Sequence, residues 1–198
     1  FFANYAVEKE KRFFVMYGQT EATARMSYMD SNDISNYPQS IGIAIPKGQF
    51  FLEDDNGDTI TSNNQSGELV YKGPNIMMGY AIDKDDLSLD SQLSELKTGD
   101  LAYTDKAGRY YISGRKSRFI KLFGLRVNLD EVEKNLAKEN YSVVCTGYDD
   151  FLLIVAEEKY DSDTLLKCVQ NHLSLNPRVI HINVACNIPH NENAKINY

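Results

Sequence analysis

Between Ile41 and Tyr111 turn residues cut the chain into short apolar stretches, a spacing that predicts antiparallel hairpins. Ile41 to Ile45, Phe50 to Glu53 and Gly67 to Lys72 read as strands, with Asp55-Asn56-Gly57-Asp58 as the turn between the last two. Leu101 to Tyr103 and Arg109 to Ile112 flank a second turn, Asp105-Lys106-Ala107-Gly108. The expectation for this region is a β-rich, barrel-like unit. Within it, Asp83 to Glu95 is polar with spaced Leu87, Leu89 and Leu93, and reads as an amphipathic or irregular insertion.

After Arg115 the pattern changes. Ser117 to Leu122 and Leu125 to Val127 predict a small hairpin, and Asn128 with Glu131 forms a capping box opening a helix that carries Val132 and Leu136. Strands at Ser142 to Tyr148 and Phe151 to Glu157, a helix from Ser162 to Leu173 and a strand from Arg178 to Ala185 follow. The fold class expected is therefore α+β, with a β-rich unit over residues 1–116 and a small α+β unit over residues 117–198. A chain of 198 residues is long enough to bury a core in each.

A formal net charge of −7 and a pI near 5.0 argue against nucleic acid or an anionic membrane as partner, because the overall field repels polyanions. The longest apolar run, Phe151 to Ala156, is too short to span a bilayer, and a cytoplasmic location is the simplest expectation. Cys145, Cys168 and Cys186 are odd in number, widely spaced and set in apolar or amphipathic stretches, which predicts buried thiols and no disulfide or metal framework. His172, His181 and His190 also lack ligand spacing.

Four separated segments carry residues suited to phosphate chemistry: Tyr17-Gly18-Gln19-Thr20-Glu21-Ala22, Lys97-Thr98-Gly99-Asp100-Leu101, Gly114-Arg115 and the late Lys195. Attack of a carboxylate on the α-phosphate of ATP brings two anions together while charge develops on the phosphorus oxygens. Such a site needs a divalent metal, a hydroxyl or amide to orient the phosphate, and a mobile cation. Thr20, Glu21 and Lys195 are of the right types. Asp100 offers a carboxylate for two ribose hydroxyls, and Arg115 offers several donors to ribose or phosphate. Singly, each has a plainer reading: Tyr17 a core aromatic, Glu21 a solvated acid at a helix start, Asp100 a turn residue, Arg115 a surface cation, Lys195 a tail lysine. Their conjunction in this order carries the chemical reading.

In that order the motifs resemble the acyl-CoA synthetase, peptide-synthetase adenylation-domain and luciferase superfamily of AMP-forming enzymes. Tyr17 to Glu21 is similar to that family's YGxTE motif, Gly67 to Tyr80 to its GELxxxGxxxxxGY element and Lys97 to Leu101 to its ribose-binding element. Gly114 to Glu133 resembles its hinge and lid hairpin, and Ile188 to Tyr198 its closing signature with the catalytic lysine. The resemblance implies that residues 1–116 are the C-terminal portion of an AMP-binding domain and 117–198 a mobile lid. It implies further that Tyr17 packs on adenine beside Gly18, Thr20 contacts the AMP phosphate, Glu21 helps hold Mg2+, Asp100 binds ribose and Arg115 contacts the nucleotide near the hinge. Lys195 would bridge the reacting carboxylate and the α-phosphate, while Lys121, Gly124 and Arg126 lie in the hairpin that the lid brings to the second step. That step is thioester formation with coenzyme A or with the phosphopantetheine of an acyl carrier protein.

Two positions depart from the family pattern: Ser117 stands where a hinge Asp or Lys is usual, and Ala194 stands for the Gly before the lysine. No segment resembles the Ser/Thr/Gly-rich phosphate loop that precedes these motifs in the family. The expectation is that this polypeptide is incomplete and inactive alone, and works with a missing N-terminal half or subunit. A non-catalytic interaction module that docks a carrier protein or partner subunit is the competing reading. The carboxylic acid substrate, and the choice between coenzyme A and a carrier protein, stay open.

Overall fold

A computed structural model describes residues 2–173, 175–188 and 196. The chain divides into two compact units, Phe1–Lys116 and Ser117–Tyr198. The first holds helix α1 (Phe2–Glu8) and strands β1 (Val15–Tyr17), β2 (Ser27–Met29), β3 (Ile43–Ala44), β4 (Gln49–Glu53), β5 (Gly67–Lys72), β6 (Leu96–Thr104) and β7 (Tyr110–Arg115). β1, β2 and β3 form one antiparallel sheet, and β4 to β7 form a four-stranded antiparallel meander. A bridge between Gly42 and Tyr110 stitches the two sheets together. Gly42 has φ +79°, and a Cβ there would lie 1.8 Å from the Tyr28 carbonyl oxygen of β2, so only glycine fits against that strand.

Phe50, Leu52, Leu69, Tyr71, Leu96 and Ala102 from the meander meet Ala22 and Met26 in one core. The alternation of Phe50 and Leu52 with more exposed neighbours puts one face of β4 inward. A smaller cluster packs α1 through Ala3 against Met29 and Ile34. The β-rich expectation holds, but the described strands make open sheets and close no barrel. The physical reason is that one bridge replaces a full ladder between the sheets. Residues 83–95 are irregular, with a single 3-10 turn at Asp85–Ser88.

The second unit opens with a hairpin, β8 (Phe119–Leu122) and β9 (Leu125–Asn128), then α2 (Leu129–Lys138), β10 (Val143–Tyr148), β11 (Phe151–Glu157), α3 (Ser162–His172) and β12 (Ile180–Ala185). β10 and β11 pair antiparallel, while β12 runs parallel to β11 after the α3 crossover. Strict alternation buries Leu152, Ile154 and Ala156 of β11 against Leu136, Leu165 and Val169 of the helices. Asn128 caps α2, its side chain accepting from the amides of Asp130 and Glu131. Asp161 caps α3 in the same way through the Thr164 amide. Among the described residues no helix is long and apolar enough to cross a membrane.

Candidate functional site

The β5–β6 ladder breaks where the chemistry-bearing residues lie. Glu68 pairs with Leu101 and Val70 with Lys97, so one residue of β5 faces three of β6, Thr98, Gly99 and Asp100. This is a bulge, and its three residue types explain it. The Thr98 hydroxyl donates to the Leu69 carbonyl at 2.7 Å and accepts from the Asp100 amide at 3.1 Å, patching the lost ladder bonds. Gly99 takes φ +71°. The bulge thereby re-aims Asp100, which is 5% exposed.

Three side chains converge on that acid. The Tyr17 hydroxyl donates to Asp100 Oδ2 at 2.6 Å and Gln19 Nε2 donates to the same oxygen at 3.2 Å. Arg115 Nε approaches Oδ1 at 3.1 Å from the facing position on β7. Gln19 Nε2 also donates to the Thr98 carbonyl at 2.9 Å, locking the β1 segment onto the bulge. Burial pushes the Tyr17 phenol far above its ordinary value, and the Asp100 carboxylate beside it adds to the rise. Tyr17 is therefore a fixed donor at neutral pH.

Beyond Tyr17 the chain turns sharply. A Cβ on Gly18 would lie 2.5 Å from the Ala24 carbonyl oxygen, so the close return of residues 24 and 25 requires glycine. Thr20, exposed, starts the 3-10 turn Thr20–Ala22. Glu21 Oε1 accepts from the Tyr80 hydroxyl at 2.7 Å, and this bond, with the Arg115 charge as a smaller contribution, holds the Glu21 carboxyl below its usual range. Asn75 braces the turn from below: its Nδ2 donates to the carbonyls of Ala22 at 2.6 Å and Arg25 at 3.0 Å.

In the second unit Lys121 and Arg126 face each other across the β8–β9 hairpin, whose two-residue tip is Phe123–Gly124. Both tip residues have positive φ, +48° and +87°, as a type I′ turn requires. Arg126 lies over the Phe119 ring at 4.4 Å, while Phe123 is 79% exposed. Lys195 falls outside the described residues.

Of the residues singled out from sequence, the first unit brings Tyr17, Asp100 and Arg115 into one cluster, with Thr20 and Glu21 on the adjoining turn. Lys121, Gly124 and Arg126 share the hairpin of the second unit. Sequence reasoning missed Gln19, Asn75, Tyr80 and Phe123. All four sit inside the quoted motifs, which was the available signal. Among the described residues no group of three or more His, Cys, Asp or Glu converges on one point. A lone Glu21 suits Mg2+, which takes one or two protein carboxylates and completes its shell with substrate phosphates and water.

Comparison with known proteins gives this cluster its context. Residues 2–81 match the AMP-binding enzyme family. The acyl-CoA ligase gloD of Glarea lozoyensis is 31% identical over 173 residues, which cover 80% of this chain and 30% of that protein. The D-alanine--D-alanyl carrier protein ligase of Lacticaseibacillus casei is 30% identical over 133 residues, 63% of this chain and 26% of that protein. The chain thus spans under a third of the length of these relatives. Among solved structures, the o-succinylbenzoate CoA synthetase (MenE) of Bacillus subtilis in complex with the acyl-adenylate intermediate OSB-AMP superposes with a TM-score of 0.72. It is 23% identical, and the match covers 98% of this chain and 42% of that one, a likeness that establishes the fold. The chain belongs to the AMP-binding enzyme family.

Proposed function

We propose that these 198 residues are the C-terminal portion of an AMP-forming acid:thiol ligase that works in the cytoplasm. The enzyme joins a carboxylic acid to the α-phosphate of ATP with loss of pyrophosphate, then passes the acyl group to the thiol of coenzyme A or of a carrier protein. Residues 1–116 complete the AMP-binding domain and residues 117–198 form its lid. The observation that carries this reading is the buried Asp100 carboxylate, aimed by a bulge and ringed by Tyr17, Gln19 and Arg115.

A carboxylate offers about four acceptor positions, and its three present partners leave little room for a sugar diol. Arg115 has a side chain 66% exposed, so it is the partner that yields. Ribose hydroxyls then take its place on Asp100, and the released guanidinium turns to the nucleotide. Tyr17, tied by its hydroxyl, presents a ring beside Gly18 for adenine. Thr20 donates to the α-phosphate. Glu21 holds Mg2+, which when bound neutralises charge on the phosphate oxygens. Lys195 brings the mobile cation for the first step, and the Lys121 to Arg126 hairpin serves the second. The phosphate loop must come from chain beyond these residues or from a partner, so the 198 residues alone are inactive.

The test is acid-dependent exchange of labelled pyrophosphate into ATP, in a polypeptide that joins these residues to a phosphate loop. Asp100→Asn should raise KM for ATP about 10- to 100-fold, the loss of charge-assisted hydrogen bonds to ribose. Unchanged KM in a folded variant would remove Asp100 from the nucleotide site.

A further inference from the structure

Glu21 is held from a second segment at two points. The Met77 amide donates to the Glu21 carbonyl at 2.7 Å and the Tyr80 hydroxyl donates to Glu21 Oε1 at 2.7 Å. The segment that makes these bonds is itself anchored. Asn75 ties it to Ala22 and Arg25, accepting in turn from the hydroxyl of the fully buried Tyr71 at 2.8 Å. The Gln92 amide donates to the Met78 carbonyl at 2.7 Å, and Gly79 takes φ +150°, a conformation open to glycine, to bring Tyr80 round. Glu21, Gly79, Tyr80 and Gln92 all line one cavity of about 680 Å3.

Tyr80 is nevertheless 70% exposed. A ring so open to solvent contributes little to the core by burial, yet the chain builds a braced loop to set its hydroxyl on one carboxylate oxygen. We propose that Tyr80 is a positioning residue for Glu21: it fixes the carboxylate through Oε1 so that Oε2 is presented to the divalent cation. This rests on the reading of Glu21 as a metal-holding residue. Mg2+ tolerates little departure from octahedral geometry, so a carboxylate free to rotate binds it less well than one held by a neighbour.

The experiment measures Mn2+ binding in the phosphate-loop-bearing polypeptide with α,β-methylene-ATP present, from the resonance signal of free Mn2+. It compares Tyr80→Phe, Glu21→Gln and the double variant, with thermal unfolding confirming that each is folded. Tyr80→Phe keeps the ring and deletes only the donor. It should weaken Mn2+ about fivefold, the effect of one hydrogen bond of average strength, and should add nothing once Glu21→Gln is present. Binding as in the parent or tighter in Tyr80→Phe, with Glu21→Gln impaired, overturns the positioning role and leaves Glu21 as the metal-holding residue. Parent-like binding in Glu21→Gln overturns the reading of Glu21, and the proposal with it.

Discussion

Asp100 lies buried with a phenol, an amide and a guanidinium bonded to its two carboxylate oxygens. Its Tyr17 partner makes this cluster sensitive to alkaline pH. Its folded-state pKa stands above the unfolded value of about 10, so the stability it contributes is complete below pH 10 and is lost as pH rises beyond it. Tyr17→Phe should cost about 1 kcal/mol at pH 7 and reduce the further loss above pH 10. Urea denaturation at pH 7 and above pH 10 measures this, and an equal loss of stability between the two conditions in parent and variant would count against the Tyr17–Asp100 bond. The acid and the tyrosine were legible in the sequence because each sits in a short motif with a chemical rationale. Gln19 and Tyr80 were not, because their partners lie 81 and 59 residues away, and spacing along the chain gives no view of contacts across a sheet or loop.

At the scale of elements, the local rules that could be read were those enforced locally. The Asn128 cap, the turn at 105–108 and the strand from Phe151 to Glu157 are signalled by near neighbours, and all three form as expected. α1 and the β1–β2 pair escaped notice because they are short, and β1 and β2 are held by a three-residue ladder. A barrel was expected because the strands are numerous and short, whereas whether sheets close depends on bulges and seams such as Gly42–Tyr110. The Thr98–Asp100 bulge belongs to the same class of feature, legible as a motif but not as a break in a ladder. The hairpin tip carries a measurable tension: Phe123 is a bulky residue at φ +48° with its ring in solvent. Phe123→Asn, better suited to that conformation, should stabilise the second unit by about 0.5 kcal/mol. If the tip serves the thiol, the same change should slow thioester formation from a supplied acyl-adenylate while sparing adenylation. Stopped-flow measurement of the two half-reactions, with a melting curve, reads both effects.

At the scale of the molecule, each unit secures its own side of Ser117. Lys116 pairs with the buried Glu68 at 2.6 Å in the first unit. Arg118, itself buried, binds Asp130 and Glu133 at 2.6 Å each and donates to the Cys145 carbonyl in the second. The thiols of Cys145 and Cys168 are both raised by burial, as expected of packed side chains, whereas Cys186 is exposed at the end of β12 and corrects the expectation of three buried thiols. The most direct test of the account follows phosphorus NMR of ATP supplied with a carboxylic acid, Mg2+ and coenzyme A or a carrier protein, using the polypeptide that joins these residues to a phosphate loop. The account predicts that ATP is converted to AMP and pyrophosphate in step with thioester. Release of ADP and inorganic phosphate would contradict it.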